Sequence, residues 1–66
     1  MSRQEISLFI LIITEYKILA EYIKDNLDIM IEYEKGRIDG VLWSMYALNI
    51  ISSNEKNRVT KYLNSL

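Results

Sequence analysis

Hydrophobic positions in this chain recur at alternating steps of four and three residues, the spacing of one face of an α-helix. Phe9, Ile13, Tyr16, Ala20, Ile23 and Leu27 trace one seam. Leu27, Ile31, Glu34, Ile38, Val41, Met45 and Leu48 trace a second, and Val59, Tyr62, Leu63 and Leu66 make a narrower third face. The pattern predicts an all-α fold with helices over about 3–24, 28–49 and 53–64. In it an antiparallel helical hairpin is closed by a short third helix that docks on the hairpin through its narrow face.

Local signals supply the helix ends. Ser2 with Glu5, and Ser52 with Glu55, have the Ser-x-x-Glu spacing in which side chain and backbone of the first turn satisfy each other. Between the first two helices there are two break signals. In "KDNLD" (24–28) short polar side chains compete with the helical backbone and acidic groups suit a new helix start. In "KGRIDG" (35–40) Gly36 could cap a helix and Asp39 begin one. The first is preferred, because the second seam runs unbroken through both glycines. A single helix from Arg3 to Lys35 would also be about 50 Å long, too long for the remaining elements to cover.

Each glycine inside a helix costs about 1 kcal/mol relative to alanine. Gly36, Gly40 and Ser44 lie four apart with Ala47 near the same line, nearly opposite the second seam and flanked by Ile29, Tyr33, Trp43 and Ile51. Helix 2 is thus apolar on two faces, and both must be covered. Either the small-residue stripe meets a second chain, by the close approach best attested between membrane helices, or it makes a tight crossing with the third helix. Trp43 reads equally as a core residue and as an interface anchor.

The block "ISLFILIITEY" (6–16) is too short to cross a bilayer, which takes about 20 apolar residues. Arg3 is offset by Glu5 and no small-residue cleavage site follows, so it does not read as an export signal either. A helix lying on a membrane surface is open to it, although its polar face lacks the usual Lys/Arg richness. The chain has 66 residues, half of them hydrophobic, a net charge of −1, and no Cys, Pro or His. That length allows one domain, and about 60 residues bury only about 60% of their unfolded surface alone. Disulfides and structural zinc are excluded as staples, which leaves self-association. The near-neutral charge provides no general field for nucleic acid or acidic lipid.

Catalytic chemistry is sparse. Without His or Cys the common nucleophile systems and zinc or haem ligand sets are missing, and no cofactor is expected. Asp25, Asp28, Glu32 and Asp39 read as a solvated face with Lys35 among them at ion-pair spacing. An enzyme would need chemistry borrowed from a partner. A helix-turn-helix reading would place Asn54, Lys56, Asn57, Arg58 and Lys61 of the last helix toward nucleic acid. Its turn lacks the usual glycine, and its basic side chains spread around the helix.

The stretch "YEKGRIDGVLWSMYALNII" has the pattern Gly-Arg-Ile-x-Gly, then Leu, then Ala-Leu, followed by a polar turn and a Glu/Lys-rich helix. Over roughly the C-terminal half it resembles small uncharacterised helical proteins of bacteriophages and mobile elements. The resemblance implies an accessory protein of a bacterial cytoplasm that binds and modulates a host or phage protein, and it carries no functional residues across. The resulting expectation is a non-enzymatic homo-oligomeric helical bundle acting as an interaction or regulatory module, a two-fold dimer being the commonest closed form. Gly36, Gly40, Trp43 and Ala47 are its expected interface, with Leu8, Leu11 and Ile18 of helix 1.

Overall fold

A computed structural model describes residues 2–66 and contains three α-helices: α1 (Arg3–Lys24), α2 (Asp28–Ala47) and α3 (Ser53–Asn64). α1 and α2 form the antiparallel hairpin and α3 packs on α2. The protein is all-α, with no strand among the described residues. None of these helices is long and apolar enough to cross a membrane.

Both serine caps act at the helix starts. The Ser2 hydroxyl accepts the Glu5 N–H at 3.1 Å. The Ser52 hydroxyl accepts the Glu55 N–H at 3.1 Å while Glu55 Oε1 accepts the Ser52 N–H at 3.0 Å, a complete capping box. That backbone bond holds the Glu55 carboxyl below its ordinary range.

The helix ends are built on asparagine. Asn26 has φ 57° and Asn49 φ 59°, both left-handed, whereas neither glycine has a positive φ. At the end of α1 the Leu27 N–H reaches Tyr22 O at 3.0 Å and the Asn26 N–H reaches Ile23 O at 3.1 Å. At the end of α2 the Ile50 N–H reaches Met45 O at 2.9 Å and the Asn49 N–H reaches Tyr46 O at 3.0 Å. Both are Schellman motifs with Asn, the best non-glycine residue for αL, at the turning position. Helix α2 therefore stops at Ala47 rather than continuing to Asn49 as the hydrophobic pattern suggested. A residue at φ 59° cannot extend a right-handed helix.

The core is small. Leu19, Ile38, Leu42 and Leu63 are buried together, with Ile12, Tyr16, Ile31, Ile51 and Val59 packed around them. The α2 seam faces inward as its spacing predicts: Glu34, Ile38 and Met45 are buried, Ile31 and Val41 half-buried, and only the end residues Leu27 and Leu48 are exposed. The α1 seam does so only in part, through the half-buried Phe9 and Tyr16. Ile13 is 55% exposed and Ala20 and Ile23 also face out, while Glu15 and Leu19 are buried and Leu8, Ile12 and Tyr22 half-buried. The helix is rotated by about one residue, roughly 100°, from the expected seam. Residues 8–13 are apolar without interruption, so periodicity there cannot select a face; docking against α2 does.

Helix α3 shows a smaller shift. Leu63 is buried and Val59 half-buried, but Tyr62 and Leu66 are exposed, and Lys56 and Thr60 take their places against α2. Thr60 Oγ1 donates to Asp39 Oδ1 at 3.2 Å across that contact. Tyr62 lies close to Tyr16 of α1, whose phenol is pushed up first by burial and then by this neighbour.

Two substitutions test this account by denaturant unfolding. Ile38→Ala, at a fully buried position, should cost roughly 2–5 kcal/mol. Asn49→Ala should cost about 1 kcal/mol for the left-handed backbone, whereas Asn49→Gly should be neutral or stabilising.

Candidate functional site

Helix α2 turns one face to α1 and an adjacent side to α3, leaving a third face without a partner in the chain. On it lie Ile29, 85% exposed, Tyr33, Gly40 and Ala47, with Gly36 and Trp43 along its border with α3. Of the residues the sequence singled out, Gly36, Gly40, Trp43 and Ala47 thus share one face. A Cβ at Gly36 or Gly40 would meet nothing within 4 Å, so the tight crossing with the third helix is not present. Neither glycine has a positive φ, and Gly36 borders a cavity between α2 and α3 lined by Asp39, Thr60 and Leu63.

Trp43 is half exposed rather than buried. Lys56 Nζ sits 4.0 Å from the centroid of its ring, and Tyr46 meets it edge-on with centroids 6.0 Å apart at 81°. Lys56 is itself buried; its stem fills the α2–α3 contact and its charge lies on the indole face, a cation–π arrangement. The indole is held on two sides and its remaining surface is offered to solvent. Arg37 lies 6.0 Å from the Tyr33 ring at the other end of the face.

The remaining candidates are on α1. Leu8 and Ile18 are half-buried and Leu11 is exposed. The α1 residues that point away from α2 are Ile6, Ile10 and Ile13, at 46%, 59% and 55% exposure. Sequence reasoning missed them as surface residues because it rotated the helix. Their own spacing of four and three was the available signal.

Asn54, Asn57, Arg58 and Lys61 are all exposed on α3. Lys56 is turned inward under Trp43, and Arg58 lies near enough to Glu55 to favour its charge. Of the acidic run, Asp25, Asp28 and Glu32 are exposed, with Lys35 Nζ 3.4 Å from Glu32 Oε1, whereas Asp39 is half-buried against α3, where it accepts from Thr60.

A second polar feature lies inside the hairpin. Glu15 of α1 and Glu34 of α2 are 4% and 1% exposed. Arg37 donates to Glu15 Oε1 at 3.1 Å, while Glu15 Oε2 and Glu34 Oε2 are buried with no donor. Burial first, then the neighbouring Glu15 carboxyl, push the Glu34 carboxyl up to about 7, against a smaller opposing effect of Arg37. The sequence placed Glu34 on the seam but did not anticipate Glu15 opposite it.

No known protein family matches the chain, and comparison with curated proteins and with solved structures gives no significant match. The geometry alone therefore carries the functional reading.

Because both glycines face open space, Gly36→Ala and Gly40→Ala should each stabilise an isolated chain by about 0.5–1 kcal/mol through helix propensity. Thermal or urea unfolding at low protein concentration checks this.

Proposed function

We propose that the protein is a non-enzymatic helical interaction module that self-associates, as a two-fold dimer, and in that form binds and modulates a protein partner. The observation that carries the reading is the outer face of α2, where Ile29, Tyr33 and Trp43 stand exposed around Gly36 and Gly40. Single exposed apolar residues are ordinary, but a continuous apolar face along a helix marks an interaction surface.

Overall dimensions are those of an open arrangement. The chain exposes 4839 Å², against roughly 4400 Å² for a typical monomer of its mass. Its radius of gyration is 12.1 Å, against roughly 10.8 Å for a compact domain of this length. Both excesses are those of a helical hairpin only partly covered by α3. An accessory role in a bacterial cytoplasm is proposed as the setting, on the sequence pattern of the C-terminal half and not on the geometry.

Light scattering or sedimentation over a wide concentration range tests the reading. The wild-type protein should show at least twice the 7.8 kDa of one chain. Gly40→Leu, which meets no obstruction within the fold, should weaken association by about tenfold or more, roughly 1.4 kcal/mol. A mass of one chain at every concentration would sink the proposal.

A further inference from the structure

We propose that Glu15 and Glu34 form a one-proton latch between α1 and α2, which closes the hairpin most tightly when the pair holds a single proton and loosens it when that proton leaves. The proposal goes beyond self-association and rests on the interior of one chain. Its basis is geometric. Two carboxyl groups from different helices are buried at the hairpin contact, each with an oxygen that no donor reaches. Such an oxygen costs free energy wherever water is excluded.

One added proton corrects this economically in structural terms. On Glu34 it converts an acceptor into an O–H donor aimed at Glu15, satisfying both groups and removing one of two like charges. Arg37 cannot take over that role. Its guanidinium donates to Glu15 Oε1, and its side chain is half exposed, so it offsets one buried charge and leaves the second. The charged groups acting on Glu34 are Glu15 from α1 and Arg37 from its own helix. Helix α3 adds none among the described residues; its inward-facing Lys56 is occupied on the Trp43 ring.

The direction of the pH effect follows from proton binding. An unfolded glutamate holds its proton only below about pH 4.3, whereas Glu34 in the fold holds it up to about 7. The latch contributes in full below the unfolded value and is lost as pH rises through the folded one. Releasing the proton leaves two carboxylates buried at the contact with a single half-exposed cation between them. Separation of α1 from α2 then relieves both repulsion and desolvation.

The test is urea unfolding of the full chain at about pH 5 and about pH 8, where the wild-type folding constant should fall by on the order of a hundredfold. Glu34→Gln keeps an N–H donor toward Glu15 and removes the titration; it should abolish most of that fall and exceed wild type at the higher pH. A wild-type constant that does not change, or a variant with the wild-type slope, overturns the latch. Carboxyl carbon NMR titration of the wild-type protein needs no variant: one midpoint of the pair near neutrality supports the latch, and both in the ordinary carboxylate range refute it. Repeating the unfolding at two protein concentrations separates this result from self-association. Association makes the midpoint depend on concentration, whereas the latch gives a pH slope at either one.

Discussion

Contact between α1 and α2 is the constraint on which everything else in this fold rests. Ile38, Leu42 and Leu19 lie at its centre, and it buries most of what the chain can hide. With no disulfide possible, the Arg37–Glu15 ion pair is the polar link that joins the two long helices beside it. That the same contact admits Glu15 and Glu34 is consequential. In a core this small, two carboxyl groups are a large fraction of the interior, and their ionisation bears on the whole hairpin rather than on one corner of it. The hairpin is thus held by a hydrophobic contact with a proton-sensitive element inside it.

Helix α3 completes the hairpin without enclosing it. It contributes Leu63 and Val59 to the core and ties itself to α2 through Thr60 and Asp39. Lys56, placed where a hydrophobic residue would normally sit, extends its stem through the contact and ends on Trp43. One side chain thereby links the α2–α3 packing to the outward face of α2. The exposed indole is positioned by the fold rather than left free, with Lys56 on its face and Tyr46 at its edge.

Glycine and asparagine occupy each other's customary places. The two left-handed turns fall to Asn26 and Asn49, and the two glycines sit in the middle of α2 with ordinary helical backbone. Alanine at either glycine would suit the isolated fold better, since a Cβ there meets nothing. The missing side chains lower the surface of α2 along the stripe between its aromatic residues. The proposed interface uses that relief together with the exposed aromatic residues beside it.

The sequence by itself determined the three helices, their starts at Ser2 and Ser52, the break after Lys24 and the inward face of α2. These are local matters: capping hydrogen bonds and backbone propensities act within a turn, and the larger side chains of the Leu27 to Leu48 seam mark the inner face of α2 against the glycine stripe opposite. It also showed that Gly36, Gly40, Trp43 and Ala47 share a face, because helical spacing alone decides that. The tertiary structure decided the rotation of α1, the meeting of Glu15 with Glu34 and the burial of Lys56 beneath Trp43. Periodicity sets the shape of a helix but not which side of an all-round apolar segment will be covered. That choice is made by the neighbour that packs best, and Leu8 to Ile13 offered it several equivalent faces.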